Sequence, residues 1–277
     1  MTAFSSICSL ILAIYVGYQS AVGAAKYRRL KLAISQGDAG ARARFYVEIL
    51  IFEGVSAALA FAALGFDPAR FDPARLGLAE TAFGQWCAAQ WQQLDAEALK
   101  GLVIGVLCGS AVMFALLWRA RRRNPQASLS ATSPLARILP DFGALVPTNA
   151  RERMIFALVA LSAGLCEEVV FRAWLLDVLH RIDLGGLALV ATAAAIFGLA
   201  HVYQGVVGVV ITGVLGAVFC ALYFASGTLW LPIAIHALID LRVAVMPSFA
   251  LAPKTLPQHT PVGAAPAAAS GRPREEV

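Results

Sequence analysis

Residues 153–178 read RMIFALVALSAGLCEEVVFRAWLLDV, and the fold turns on how this stretch is read. A helix needs about 20 predominantly apolar residues to cross ~30 Å of hydrocarbon. This segment meets that length, yet Glu167, Glu168 and Arg172 sit within it. Ionisable groups at that depth cost about 2.5–3.5 kcal/mol each by insertion scales, and they face a bundle interior or a water-filled cavity. The segment therefore predicts a spanning helix packed among other helices. Applied to the rest of the chain, the same ruler finds apolar stretches at roughly 4–25, 45–66 and 101–118 before it, and at 184–203, 206–226 and 228–248 after it. The expectation is an all-α protein, a polytopic transmembrane bundle of about seven spanning helices. Its last four spans are separated by very short connections and form a hairpin series.

Composition points the same way. The 277 residues are 59% hydrophobic and 14% charged, with a mean hydropathy of +0.72, against about 25% charged for ordinary soluble domains. The net charge of +5 does not imply a nucleic-acid partner, because the basic residues cluster beside apolar segments, where membrane proteins keep their cytoplasmic charge. Loop 26–44 holds Lys26, Arg28, Arg29, Lys31, Arg42 and Arg44, and the stretch 119–153 holds Arg119, Arg121, Arg122, Arg123, Arg137, Arg151 and Arg153. Both are expected on the cytoplasmic side, and loop 67–100 on the outer side. The first apolar stretch lacks a charged leader region and is followed by basic residues, which favours a retained helix over a signal peptide. The five cysteines, Cys8, Cys87, Cys108, Cys166 and Cys220, are scattered without a CxxC pair and read as small buried hydrophobes.

Three regions follow. Residues 1–150 form an N-terminal three-span region with the outer loop 67–100 and the cytoplasmic loop 119–150. Residues 151–248 form a four-span core, and 249–277, rich in Ala, Pro and Gly, form a disordered tail. The outer loop opens on a tandem, FDPARFDPAR at 66–75, followed by a stretch with Trp86, Trp91, Leu94 and Leu99 suited to an amphipathic helix at the interface.

The polar residues of the core are the functional candidates. Glu168 and Arg172 are four apart on one helix face and can pair. Glu167 lies about 100° around the helix and is left free for chemistry. The competing reading is a buried polar lock made of all three. Phe197 and His201 share one face of the next span, and His236 and Asp240 share one face of the last. Taken singly, these could be packing, capping or helix-gluing groups. Their accumulation on three helical segments favours a reaction centre.

These motifs resemble those of the CAAX prenyl protease type II and bacteriocin-processing family of intramembrane endopeptidases, the CPBP or Abi family. The pattern EExxxR matches Glu167, Glu168 and Arg172; FxxxH matches Phe197 and His201; HxxxN/D matches His236 and Asp240. The likeness covers roughly residues 150–245. It implies an intramembrane endopeptidase in a prokaryotic inner or plasma membrane, acting on a membrane-associated protein or peptide within the lipid bilayer. It further implies that Glu167 and His201 activate water and that His236 and the residue at 240 stabilise the oxyanion, with Glu168, Arg172 and Phe197 as support. Asp240 departs from the asparagine variant, since an ionised carboxylate cannot donate a hydrogen bond to an oxyanion. It is better cast as orienting His236 or as a protonated donor. No cofactor is expected. The alternative is zinc held by Glu167, His201, His236 and Asp240, which would form a glutamate- and histidine-rich metallopeptidase site. Two further readings are a non-catalytic immunity or assembly factor of the same fold, and a small transporter using Glu48 and Glu53 of the second span as a proton relay. Against the last, Glu48 lies near enough to Arg44 to pair with it.

Overall fold

The structure is a computed structural model that describes residues 2–77, 80–93 and 143–245, with isolated positions between 97 and 119. The expected span 101–118 and loop 119–150 fall largely outside the described residues, and the tail 249–277 falls wholly outside them. The fold is all-α. The described helices are α1 (Ala3–Ser35), α2 (Ala41–Ala63), α3 (Ala82–Gln93), α4 (Ala150–Arg181), α5 (Gly186–Ala200), α6 (Gly205–Ser226) and α7 (Trp230–Val245).

Four of these, α1, α2, α4 and α6 with the short turn before it, are long and apolar enough to cross a membrane, which makes this an integral membrane protein. The count of about seven spans is therefore not what the described structure contains. Helices α5 and α7 have 15 and 16 residues, about 22 and 24 Å at 1.5 Å per residue. The apolar run overestimated α5, whose edge residues belong to turns, while α7 reaches Val245, the last described residue. Gly186 (φ +55°) and Gly227 (φ +68°) occupy left-handed conformations at these connections, and α5 stops at His201. Helix α1 errs in the opposite direction. It continues through Lys26, Arg28, Arg29 and Lys31 to Ser35, because nothing breaks it before Gly37 (φ +83°). The basic cluster assigned to a loop is thus mostly helical, and the connection to α2 shrinks to residues 36–40. In that connection Arg44 pairs with Asp38 and holds its carboxyl below the usual range.

Long-range contacts at the two ends arrange the bundle. At one end, Arg42 Nε donates to the Ala144 carbonyl (3.0 Å) and the Tyr46 hydroxyl donates to the Leu145 carbonyl (2.8 Å). Arg153 donates to the Ala244 carbonyl there as well (2.5 Å). Arg42 and Arg153 therefore lie at the same end. Helix α4 starts there, capped by Asn149, whose side chain accepts from Glu152 N (2.9 Å) while Glu152 accepts from Thr148 N (2.7 Å). This reciprocal capping satisfies exposed N–H groups of the first turn.

At the other end, each FDPAR copy makes a short 3-10 turn, Pro68–Phe71 and Pro73–Leu76, with Asp67 and Asp72 accepting from the N–H two residues on. Identical local chemistry gives identical local structure. Both arginines of the repeat converge on the buried Asp177 of α4: Arg75 pairs with it, Arg70 Nη1 stands 3.7 Å away, and Arg181 Nε lies at 2.8 Å. The Tyr223 hydroxyl on α6 donates to the Phe71 carbonyl (2.9 Å). The stretch expected to lie at the interface begins earlier than its aromatics suggest, as α3. That helix packs on α5 and α6 with Gly84 and Cys87 buried and Trp86 exposed; Leu94 and Leu99 are not described.

The apolar core is in two parts. One holds Leu12, Ala60, Leu64, Trp174, Leu176 and Tyr223; the other holds Tyr27, Leu30, Tyr46, Leu145, Phe156 and Ala160. Along α1, α2 and α4 the residues between these clusters line a central cavity of about 380 Å³. Two close helix contacts hold its walls. A Cβ on Gly164 of α4 would lie 2.8 Å from the Ala237 backbone nitrogen of α7, and one on Gly198 of α5 would lie 2.6 Å from the Val209 carbonyl of α6. Only glycine permits either approach.

Gly164→Ala is accordingly expected to cost about 1–3 kcal/mol through overpacking. Gly17→Ala, where nothing lies within 4 Å, should be neutral or stabilising. Thermal unfolding of the two variants in detergent makes the comparison. Asp177→Asn should free the 66–77 segment, read as faster limited proteolysis there with the rest of the bundle intact.

Candidate active site

The π-turn geometry of α4 changes how its motif is presented. The helix is regular to Glu168, then passes through a π-helical segment, Val169–Leu175, in which every residue is buried. Such insertions add a residue to a turn and often mark functional sites. Despite the wider turn, Glu168 and Arg172 pair, with Arg172 Nη1 3.1 Å from Glu168 Oε1. They are 0% and 1% exposed.

Arg172 is further enclosed by aromatic faces, its guanidinium lying 4.5 Å from the Phe197 ring centre and 5.1 Å from that of Phe219. Its Nη2 donates to the Gly216 carbonyl (3.2 Å). Cation–π attraction is strongest where water is excluded, which is the situation here. Glu168 Oε1 also accepts from His236 Nδ1 at 2.8 Å. The ion pair expected from the EExxxR spacing is thus one link of a buried chain, Arg172–Glu168–His236, that reaches α7.

Glu167 points elsewhere. Its Oε2 stands 3.9 Å from His201 Nε2 and 3.8 Å from His236 Nε2, and it has no hydrogen-bond partner among the described residues. His201 Nδ1 lies 2.9 Å from the Phe197 carbonyl. A carbonyl only accepts, so Nδ1 carries a proton and Nε2 is the nitrogen presented to Glu167. The FxxxH spacing therefore does two things: the Phe197 backbone sets the His201 tautomer, and the Phe197 ring holds Arg172. His236 stacks on Phe219, with ring centres 4.9 Å apart and planes 18° apart. Asp240 Oδ2 is 3.6 Å from His236 Nε2, beyond hydrogen-bond distance, and the carboxylate that engages His236 directly is Glu168.

The structure therefore brings Glu167, His201, His236 and Asp240 around one cavity, with Glu168 and Arg172 behind it. Among the described residues no group of three or more His, Cys, Asp or Glu side chains is arranged to hold a metal ion, so the geometry offers no support for the zinc set. Glu48 pairs with Lys26 at 3.6 Å, and Arg44 is engaged by Asp38 instead.

Two lining residues escaped the motif reading. Phe219 has no pattern to announce it, being one aromatic among many on an apolar helix. Glu53, considered only as a relay, lies on the cavity wall and is 4% exposed. An acid deep in a spanning segment was the available signal.

A buried ion chain borders a cavity between the helices, beside a separate carboxylate flanked by two imidazoles. Residues 149–242 match the family described as type II CAAX prenyl endopeptidase Rce1-like, and this segment is a domain of that family. The three motifs thus indicated the right family, one of proteases, whose substrates are proteins. No curated protein and no solved structure matches the chain.

Removing one member of the buried chain should be costly. Arg172→Met leaves Glu168 charged and enclosed, and a loss of about 3–5 kcal/mol is expected. The double variant Glu168→Gln/Arg172→Met should lose less than the sum of the singles, which a double-mutant cycle by thermal unfolding measures.

Proposed function

We propose that the protein is an intramembrane endopeptidase of glutamic type that hydrolyses a peptide bond in a membrane-associated protein or peptide. The observation that carries the reading is the division of the two adjacent glutamates. Glu168 meets Arg172 and His236 through Oε1, its Oε2 lacking a partner among the described residues as Glu167 Oε2 does, and it is Glu167 Oε2 that faces the Nε2 atoms of both histidines. Gaps of 3.8–3.9 Å are too long for direct hydrogen bonds, so Glu167 stands beside both imidazoles without being bonded to either.

In this reaction Glu167 takes a proton from the water as its oxygen attacks the scissile carbonyl carbon, with His201 positioning the water through Nε2. His236, polarised by Glu168 at Nδ1, donates from Nε2 to the developing oxyanion. Collapse of the tetrahedral intermediate breaks the C–N bond, and the proton held by Glu167 passes to the leaving amine. Asp240 stands beside His236 Nε2, where a carboxylate favours the imidazolium form of the ring.

In this reading residues 151–248 are the protease core, and α1 and α2 supply the outer wall of its cavity. The remaining short helices complete a bundle of about seven membrane-embedded helices with the undescribed third segment. The end of the bundle that holds Arg42 and Arg153 is cytoplasmic, in the inner or plasma membrane of a prokaryotic cell. Lys26 and Arg242 line the cavity toward that end, so substrate and water enter from the cytoplasmic side.

Glu167→Ala should lower the cleavage rate of a membrane-associated peptide by about 10²–10⁴-fold with an unchanged melting temperature. Wild-type rates from that variant would remove the proposal. Asp240→Asn should keep activity, since an amide donor suits an oxyanion. Chelator treatment should leave the rate intact, and loss of activity with recovery on added zinc would replace the glutamic mechanism by a metal-dependent one.

A further inference from the structure

The proposed mechanism leaves one buried carboxylate of the cavity unused. Glu53, on α2, is 4% exposed, and its Oε2 has no hydrogen-bond partner among the described residues. Three residues further along the same helix, and so on the same face, Ser56 is 3% exposed and its hydroxyl is likewise unpartnered. Both line the cavity that holds Glu167, His201, His236 and Asp240. A buried polar atom left without a partner forfeits the hydrogen bonds water would give it. Two such oxygens on one helix face, each able to accept, form a place for a donor.

Among the described residues, the cations near the cavity are engaged elsewhere. Lys26 binds Glu48 (3.6 Å) and Gln19 (3.1 Å), Arg242 donates to the Ile239 carbonyl, and Arg172 serves Glu168 and Gly216. The charges nearest Glu53 are mainly of its own sign, since it interacts electrostatically with Glu167 and Asp240 as well as with His236. Its one hydrogen-bonding neighbour is the hydroxyl of Ser162. Glu53 thus shares the cavity with Glu167 and Asp240.

We infer that Glu53 and Ser56 form a recognition subsite for a basic side chain, lysine or arginine, carried by the substrate near the scissile bond. The inference rests on the protease reading for the meaning of substrate and scissile bond. An ammonium or guanidinium has several donors and no acceptor, which matches a site of two free acceptors. Entry of the basic group supplies the donors these atoms lack and sets the register of the peptide against Glu167, so discrimination arises in binding.

The test uses the full chain in detergent and two sets of peptides. In one, a single lysine is walked residue by residue along a membrane-associated peptide; in the other, norleucine replaces it. At one register the wild type should favour lysine by about tenfold or more in kcat/KM, carried by KM. Glu53→Gln should erase that preference while cleaving the norleucine peptides at a wild-type kcat, and Glu53→Asp should retain part of it. Indifference of the wild type to lysine at every register overturns the inference without recourse to any variant. So does an equal loss of kcat on both peptide sets in Glu53→Gln, which would make Glu53 part of the structure or the chemistry. Fluorescence-anisotropy binding of labelled lysine and norleucine peptides separates the two proposals. If Glu167→Ala still cleaves, the mechanism fails, but a lysine preference in binding that Glu53→Gln abolishes still upholds the subsite. Equal binding of the two peptides refutes it.

Discussion

The chain Arg172–Glu168–His236 is the interaction on which the rest of the site depends. In hydrocarbon no water can answer a charge, so each ionised group must find its counter-ion or acceptor inside the protein. Arg172 answers Glu168, and Glu168 answers His236. The guanidinium is sandwiched near Phe197 of α5 and Phe219 of α6 and donates to the Gly216 carbonyl of α6. One set of charges therefore ties four helices together. It also sets the orientation of His236, whose Nδ1 is occupied and whose Nε2 faces the cavity.

Satisfying one glutamate in this way leaves its neighbour unsatisfied. The residues share a backbone, yet Glu168 points into the ion chain and Glu167 toward the two imidazoles. The π-helical segment begins at the next residue and widens the helix where the large buried side chains Phe171, Arg172 and Trp174 must fit. Close approach of α4 and α7 at Gly164 and Ala237 brings the glutamates within reach of His236. The short α5 ends on the histidine itself, which places His201 at a helix terminus beside the turn into α6. Chemistry at this site is a matter of helix lengths and one glycine contact as much as of the polar residues.

Much of this was legible in the chain. The depth cost of an intramembrane charge singled out Glu167, Glu168 and Arg172, and the i, i+4 spacings paired Glu168 with Arg172 and put Phe197 on one face with His201. Helix extents were less legible. An apolar run does not distinguish helical residues from the turns that flank them, so α5 reads as a full span. Charge was taken as a loop signal in α1, where the backbone had no reason to stop. The partner of His236 was also hidden. Spacing offered Asp240, four residues away, while the carboxylate at 2.8 Å is Glu168, 68 residues earlier in the chain. The clamp of Arg70, Arg75 and Arg181 on Asp177 was equally invisible, because the tandem repeat announces two similar turns and nothing about what their arginines meet.

The sequence by itself determined the solvent, the helical class, the family of the segment 149–242 and the cast of polar residues. Each of these follows from local composition and spacing: how many apolar residues run together, and which ionisable groups interrupt them. Tertiary structure decided that Glu168 rather than Asp240 engages His236, and that Glu53 from a distant helix joins the same chamber. Those outcomes depend on distances between segments far apart in the chain. They are set by how closely glycine lets two helices approach and by where a buried charge can find its partner.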